Sequence, residues 1–471
     1  MSLASIPTPP DPSAIPLGRP LDGGGLGGHP RGLTTLFFTE MWERFSYYGM
    51  RALLTLFMVA SVSEGGLGWS DTRRATVYGN YTMAVYVLTI LGGWAADRFL
   101  GAYRSVLIGG VVIALGHFTM AFGNAGTFIT GLVLIAAGTG LLKPNISAMV
   151  GGLYSQSDPR RDAGFSLFYM GINLGAFLGS IIAPFLAQDE WFKSMLRTAG
   201  FDPLKSWHWG FGAAGVGMSL GLIQYVRGAA RLQSVGARPK PRNEIPPAPL
   251  TRADWKRIAA IGILCLFVII FWALFEQAGS TLNLFADKLT RCEAFGHRFP
   301  SGWFQSINSV WVILLAPLFS LLWVKLGVRQ PPVAAKFALG LFFQALAFAW
   351  MVPAARLTAQ GLVSPLWLLG FYFFQTVGEL FLSPVGLSTV TKLSPPKLVG
   401  LMMGAWFVAA GLGNKVAGEL SKLFTSDASR LATALGREAL FVFAAALVLL
   451  ALIPLMRNLT REIEPPNGLP G

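Results

Sequence analysis

Apolar stretches of about 20 residues recur along the whole chain, and they constrain its fold more than any other feature of the sequence. A helix needs about 20 apolar residues to cross the hydrocarbon core of a bilayer, where every backbone polar group must be paired within the protein. Only 13% of the 471 residues are charged, against roughly a quarter in soluble proteins. We therefore predict an all-α polytopic membrane protein. The twelve predicted transmembrane helices cover residues 34–62, 76–97, 105–123, 127–153, 163–187, 208–227, 256–286, 304–327, 333–353, 362–391, 398–424 and 438–457.

Lysine and arginine residues concentrate in alternate connections between these stretches. Arg98 and Arg104 follow the second stretch, Arg160 and Arg161 follow the fourth, and a basic cluster at 231–257 follows the sixth. Because cytoplasmic loops of membrane proteins carry an excess of basic residues, we expect both termini in the cytoplasm and a multi-pass protein of the cell inner membrane. Membrane orientation thus explains the net charge of +14, and we expect no nucleic-acid partner.

Proline and basic residues are concentrated at 229–254, with six apolar stretches before this segment and six after it. This layout predicts a cytoplasmic linker between two six-helix bundles, at 33–228 and 255–459. The first 32 residues are rich in Pro and Gly and contain no apolar run, a composition typical of disorder. We expect a disordered cytoplasmic tail at 1–32 and a short cytoplasmic tail at 460–471.

The first apolar stretch contains charged residues, which are costly at bilayer depth and mark ion or substrate pathways. Glu40, Glu43 and Arg44 fall close to one stripe of a helix with 3.6 residues per turn, and Tyr47 and Arg51 continue that stripe. The stripe cannot face lipid. Two carboxylates beside a guanidinium can hold and release a proton, and Arg51 adds a separate anion-binding group. These residues indicate a proton-coupled carrier.

Lys143 is an ammonium group within the apolar fourth stretch, directly before Pro144. A charge buried in a membrane needs a partner, and we expect Glu40 and Glu43 to supply it. The alternative interpretation is a lysine that snorkels from a helix end to the interface. The distance of Lys143 from the end of the stretch favours the paired interpretation.

Two further carboxylates lie in the second half of the chain. Glu276 follows Trp272 by one helical turn in the seventh stretch. A buried acid at this position needs a partner. In an alternative interpretation, that ion pair only holds the two bundles together. Glu379 lies deep in the tenth stretch with Ser383 one turn later, and this placement suits a site for a free amine. Arg51 and Lys143 of the first half would then bind the carboxylate of the same ligand. The two halves would recognise the two ends of a dipeptide zwitterion.

Residues 92–104 join the second and third stretches through a glycine turn and contain Asp97, Arg98 and Arg104. This segment is similar to the cytoplasmic loop motif of the major facilitator superfamily, whose members pair two six-helix halves around a midplane site. The resemblance implies that these charged residues form a gating loop that latches the inward gate. An ordinary charged turn is the alternative.

Four segments together resemble the proton-dependent oligopeptide transporter family, a branch of that superfamily. They are residues 37–51, with a Glu-x-x-Glu-Arg-Phe pattern, 138–145, 165–177, with an Asn-x-Gly pattern, and 378–384. The resemblance runs from residue 34 to about 457. Many bacterial members carry two extra helices between the halves, and the 229–254 linker is too short to hold them. We therefore expect the major facilitator fold with twelve helices.

The resemblance implies a symporter that imports di- and tripeptides together with protons by alternating access. It implies that Glu276 pairs with Arg51, and that Lys143 both pairs with the first-stretch carboxylates and helps to bind the peptide carboxylate. The residues assigned to proton coupling are Glu40, Glu43, Arg44, Lys143 and Glu276. Those assigned to peptide binding are Arg51, Tyr47, Tyr48, Tyr86, Lys143, Asn173, Trp272, Glu276, Asn308, Glu379, Ser383 and Trp406. For the aromatic residues, packing or an interfacial belt is an equal alternative.

Two other functions stay open at this point. A carrier of another small solute, such as nitrate, is one, although Glu379 as an amine-binding acid has no use for an inorganic anion. A membrane scaffold without transport is the other. The extramembrane segments show no phosphate loop, metal-ligand cluster or nucleophile with a base, so we expect no enzyme activity. We expect no metal or cofactor besides the proton, with peptides and lipid as partners of a monomer.

Overall fold

The computed structural model describes residues 23–155, 158, 160–232, 235, 249–294, 296–395 and 398–460. Three predicted segments lie wholly or largely outside the described residues: residues 1–22 of the tail predicted to be disordered, most of the 229–254 linker, and the tail from residue 461 onward. The prediction of disorder up to residue 32 needs correction, because a 3-10 helix spans Leu26–Gly28 and the first long helix begins at Arg31. His29 is buried, with Nδ1 2.8 Å from the Tyr154 hydroxyl.

The described residues form α-helices and one short antiparallel hairpin. The helices of the first half are α1 (Arg31–Val59), α2 (Asp71–Ala95), α3 (Ala102–Met120), α4 (Ala125–Gly152), α5 (Arg161–Gln188), α6 (Glu190–Thr198) and α7 (Ser206–Arg227). Those of the second half are α8 (Arg252–Phe275), α9 (Thr281–Leu289), α10 (Ile307–Leu326), α11 (Val333–Leu357), α12 (Leu366–Leu393), α13 (Val399–Leu420), α14 (Ala428–Ala451) and α15 (Ile453–Thr460). The hairpin pairs β1 (Glu293–Ala294) with β2 (His297–Arg298) in the connection after α9.

Ten helical segments of the described chain are long and apolar enough to cross a membrane. Two long helices are not among them, α1 with 29 residues and α7 with 22 residues. Glu40, Glu43, Arg44 and Arg51 interrupt the apolar composition of α1, and these four residues are buried between helices rather than exposed. The all-helical fold is confirmed, and the count of twelve spans stays a prediction.

The seventh predicted span differs from the expected continuous helix. Its first part, α8, ends at Phe275, and a 3-10 turn follows over Glu276–Gly279. The chain leaves helical geometry at Ser280, with φ −127° and ψ −85°, before α9 begins. Such breaks at membrane depth are tolerated only where protein or a water-filled cavity surrounds the freed backbone groups. The break therefore marks a place where other helices must supply hydrogen-bond partners.

Within the first half, α1 packs against α5 and α7, and α3 packs against α4. Glycine allows the close approach of α1 and α5. A Cβ atom added at Gly175 would lie 2.1 Å from the Met41 carbonyl oxygen, and one added at Gly179 would lie 2.2 Å from that of Phe45. Small residues at helix contacts are the usual means of close packing in membranes. This packing orients the charged face of α1 toward the interior.

The two halves meet near the connection between α1 and α2. Arg74 of α2 is fully buried and donates from Nη2 to the Ser421 carbonyl oxygen just after α13, at 2.9 Å. Gly79 and Gly418 bring the same two helices together, since a Cβ on Gly418 would lie 2.6 Å from the Gly79 Cα. The hydrogen bonds that join described residues of the two halves all lie in this part of the molecule. The molecule is thus closed at the α1–α2 end.

Candidate functional site

A small cavity lies between the two halves, directly below the closed α1–α2 end. Its volume of about 70 Å³ is room for a few water molecules, since one water needs roughly 10–15 Å³ of this kind of space. It has walls from both halves of the chain. The lining residues are Arg44, Tyr47, Tyr48, Arg51, Tyr86, Lys143, Trp272, Phe275, Glu276, Ala278, Gln305, Asn308, Ser309, Tyr372, Gln375 and Glu379. Nine of the twelve residues predicted to bind peptide are in this wall.

Glu40, Glu43 and Arg44 form a buried cluster on α1 beside the cavity. Arg44 Nε lies 3.1 Å from Glu40 Oε1 and also forms an ion pair with Glu43. The exposed fractions of the three residues are 3%, 0% and 5%. Two carboxylates share one guanidinium, so the cluster carries one excess negative charge unless a proton is bound. A buried unpaired charge is costly, and this cluster is therefore suited to bind a proton.

Lys143 of α4 faces the cavity, but it is not in an ion pair with the α1 carboxylates. Its ammonium nitrogen lies 4.5 Å from the centroid of the Tyr86 ring, and no carboxylate of the described residues lies within 4 Å of it. The predicted pairing with Glu40 and Glu43 is thus absent from this conformation, and a cation–π contact takes its place. The ammonium is available for a ligand in the cavity.

Arg51 and Glu276 form the ion pair that the family resemblance implied. Arg51 Nη2 lies 2.7 Å from Glu276 Oε2, and both side chains are buried. The Tyr78 hydroxyl lies 3.4 Å from Arg51 Nε and donates to the Glu276 carbonyl oxygen at 3.2 Å. Charge-assisted bonds of this kind are about twice as strong as neutral ones. The pair therefore joins the two halves directly at the α1–α2 end.

Side chains from four other parts of the chain pair the backbone carbonyls around the break between α8 and α9. The bonds run from Gln375 Nε2 to Phe275 O at 3.1 Å, from Tyr78 OH to Glu276 O at 3.2 Å, from Gln305 Nε2 to Ala278 O at 2.7 Å and from Thr55 Oγ1 to Gly279 O at 2.8 Å. Tyr78 and Thr55 come from the first half, and the two glutamines come from the second. Part of this support therefore depends on the halves being together.

Glu379 lies on the opposite wall from the first-half cations. Asn308 Nδ2 donates to Glu379 Oε2 and to Thr376 Oγ1, both at 3.0 Å. Glu379 has no cation within 4 Å among the described residues. The cavity thus presents Arg51 and Lys143 on one half and a carboxylate without a counter-ion on the other. A ligand with an anionic and a cationic end matches this arrangement.

Three predicted peptide-binding residues do not line the cavity. Asn173 donates to the Tyr169 carbonyl oxygen within α5 at 3.0 Å. Ser383 lies one turn beyond Glu379, outside the wall. Trp406 is buried in the second half, 6.1 Å from Phe337 between ring centroids. In this conformation Asn173 bonds within its own helix and Trp406 packs against Phe337, and their contacts with peptide stay predictions.

The predicted gating loop is exposed at the end opposite the closure. Asp97 and Arg98 lie in a π-helical turn, Ala96–Leu100, and Gly101 follows with φ 73°. Arg98 stacks near Phe99, and Arg104 is exposed at the start of α3. None of the three charged residues forms an ion pair with the rest of the described chain. Their role as a gating loop stays a prediction.

Several functional candidates were missed from the sequence. Gln305, Gln375 and Tyr372 line the cavity, and Gln305 Nε2 lies 3.1 Å from the Tyr372 hydroxyl. Tyr78 and Thr55 hold the helix break. The signal that was available is a polar amide inside an apolar stretch, as at Gln375, because an unpaired amide in hydrocarbon is costly. Tyr and Thr give no such signal, since both are common in membrane helices for packing.

Comparisons with known proteins identify the family of this chain. Residues 103–246 and 250–436 match the POT family, PTR2. The chain is 37% identical to the peptide transporter YePEPT of Yersinia enterocolitica, over 91% of this chain and 95% of that protein. It is 35% identical to a di-/tripeptide transporter of Lactococcus lactis, over 84% of this chain and 90% of that one. A crystal structure of a mutant peptide transporter POT in complex with alafosfalin superposes with a TM-score of 0.84 at 36% identity, covering 93% and 97% of the two chains. The chain therefore belongs to the POT family, the proton-dependent oligopeptide transporters.

Proposed function

We propose that this chain is a proton-coupled symporter that imports di- and tripeptides by alternating access. The observation that carries the proposal is the cavity between the halves, with Arg51 and Lys143 on one wall and Glu379 on the other. A free peptide carries an anionic carboxylate at one end and a cationic amine at the other. Arginine binds a carboxylate bidentately, and Glu379, which lacks a counter-ion among the described residues, suits the amine.

Proton coupling in this proposal depends on the Arg51–Glu276 pair. While Glu276 is ionised, it holds the guanidinium at 2.7 Å. A proton on Glu276 removes its charge and frees Arg51 for the peptide carboxylate. Proton and peptide then favour each other's binding, as reciprocal linkage requires. Glu40, Glu43, Arg44 and Lys143 form a second group that binds or releases a proton during the cycle.

The charge distribution supports an orientation with both termini in the cytoplasm of a bacterial cell, because basic residues gather at the α2–α3 end. The closed α1–α2 end is then the outer side, and the open Asp97 loop faces inward. The remaining expectations are a lipid-embedded monomer, no enzymatic activity, and no resident cofactor besides the coupling proton.

Uptake of a labelled dipeptide into proteoliposomes tests the proposal. An inward proton gradient should drive accumulation above the external concentration, and a protonophore should reduce uptake to equilibration. The N-acetylated form of the same dipeptide is the matched control, since it lacks the amine that Glu379 would bind. Accumulation that ignores the proton gradient, or equal uptake of the acetylated peptide, would contradict the proposal.

A further inference from the structure

A carboxylate of α14 contacts the helix break from the side away from the cavity. Gln277 Nε2 donates to Glu438 Oε2 at 3.1 Å, and Gln277 Oε1 accepts from Thr281 Oγ1 at 2.8 Å. Gln277 is fully buried and follows Glu276 directly in the 3-10 turn. Glu438 is 9% exposed. A chain of side-chain hydrogen bonds thus connects α14 to the residue next to the proton-linked carboxylate.

No cation of the described residues lies within 4 Å of Glu438. Arg437 is adjacent in sequence, but it is exposed, and neighbours at i and i+1 do not face the same way on a helix. The other charged groups around the same groove are Lys422 and Arg430, at its rim. The part of α8 that lines this groove, from Ile269 to Leu274, contains no charged residue. Gln277 is therefore the partner that this carboxylate has in the described structure.

An acid buried at membrane depth without a counter-ion is costly and marks a functional position by default. The location of Glu438 indicates which function it serves. Thr55 and Tyr78 support the break from the first half, and they must leave when the halves separate at the α1–α2 end. Glu438 belongs to the second half, as Gln305 and Gln375 do. The other residues donate to backbone carbonyls of the helix break, whereas Glu438 accepts a hydrogen bond from the Gln277 side chain.

We propose that Glu438 is a positioning residue for proton coupling: through Gln277 it keeps the break, and with it Glu276, aimed at Arg51. The inference rests on the proposed function. A carboxyl group offers two oxygen atoms at this position, one of which accepts the hydrogen bond from Gln277 Nε2. Without this hold Glu276 loses its alignment with Arg51 each time the halves reunite, and peptide moves without its proton.

Two assays on the same proteoliposomes test the inference. One is gradient-driven accumulation of a labelled dipeptide, and the other is exchange of labelled for unlabelled dipeptide at equal concentrations, which needs no net proton movement. In Glu438→Ala we expect exchange near the parent rate and the ratio of accumulation to exchange reduced about tenfold, within the range of interaction between contacting residues. Glu438→Gln keeps the size and one acceptor oxygen and should fall between parent and Glu438→Ala.

A double-mutant cycle tests whether Glu438 affects proton coupling through Gln277 or by another route. Gln277→Ala alone should reproduce the loss of Glu438→Ala, and the double variant should lose no more than either single one. Glu419→Gln is the matched control, because Glu419 is an exposed acid of α13 that pairs with Lys415 and Lys422. This control should keep the parent ratio.

A parent-like ratio in Glu438→Ala, or losses that multiply in the double variant, would overturn the inference. If Glu438→Ala does not fold, Glu438→Gln decides by the same ratio, and a parent value there also overturns it. Failure of the parent itself to accumulate dipeptide under a proton gradient would instead refute the proposed function. The parent assay therefore distinguishes the two failures.

Discussion

Replacement of Glu276 by glutamine tests how the proton controls peptide binding. Glutamine keeps the length of the side chain and an acceptor oxygen, and it mimics the protonated acid. Arg51 Nη2 lies 2.7 Å from Glu276 Oε2, and both side chains are buried. The substitution therefore replaces a bond between two charged groups by one in which only the guanidinium is charged. The guanidinium should then be available to the peptide carboxylate at every pH.

The size of the effect follows from the charge that is removed. Both bonds involve the charged guanidinium, so the substitution removes the attraction between two unit charges, which is about 1 kcal/mol at 4 Å in bulk water and larger in a less polar site. A loss of about 1–1.5 kcal/mol corresponds to roughly tenfold in peptide affinity. In the parent, peptide affinity should rise as pH falls, by at most about tenfold per pH unit for one linked proton. In Glu276→Gln the affinity should be constant and should equal that of the parent at low pH.

Calorimetric peptide binding to the purified protein in detergent, at several pH values, measures both quantities. Glu419→Gln is again the control for loss of an exposed acid. Gradient-driven uptake by Glu276→Gln should be lost, because nothing re-forms the ion pair to reset the carrier. An unchanged pH slope in the variant would refute the reasoning and would place the proton sensor elsewhere, with Glu40 and Glu43 as the next candidates.

Four further substitutions test other parts of the molecule. Glu379→Gln should weaken the binding of dipeptides with a free amine about tenfold or more, because a neutral amide replaces the carboxylate that would pair with the charged amine. It should leave the weak binding of N-acetylated dipeptides unchanged. Equal affinity of variant and parent for the free dipeptide would contradict the amine site. Glu43→Gln and Lys143→Ala should each abolish gradient-driven accumulation of peptide, while at least one of the two variants still exchanges labelled for unlabelled peptide. Normal accumulation in both variants would show that these residues take no part in proton coupling. Gly418→Ala places a Cβ atom 2.6 Å from the Gly79 Cα, so it should destabilise closure at the α1–α2 end by about 1–3 kcal/mol. Faster cross-linking between cysteine pairs across that end in the variant than in the parent would argue against this contact.

Much of the architecture could be predicted from the pattern of residues alone. Apolar runs of the length of a bilayer require helices, because only helices pair their own backbone groups in lipid. The same energetic rule located the charged residues of the site: Glu40, Arg51, Lys143 and Glu379 stand out because a charge in an apolar stretch is too costly to be incidental. All four lie in or beside the central cavity of the structure.

The family resemblance, and not residue spacing, supplied the pairing of Arg51 with Glu276, whose positions are 225 residues apart. The resemblance also implied a pairing of Lys143 with the first-stretch carboxylates, and in the described structure the Tyr86 ring takes their place. A sequence states which groups need a partner. It does not state which of several candidates lies nearest, because that depends on how helices from both halves are rotated and brought together.

The helix break at Glu276–Gly279 depends mainly on the tertiary structure. Its local sequence contains no proline, and Gly279 and Ser280 weaken a helix there without dictating a break. The break persists because side chains of α1, α2 and α12 and the turn before α10 pair its carbonyls, and because Glu438, 161 residues away in sequence, holds Gln277. The sequence by itself determined the membrane helices and the charges that must be buried in them. Which carbonyls are released from the helix, and where Glu276 therefore points, depends on contacts that exist only once all these helices are packed.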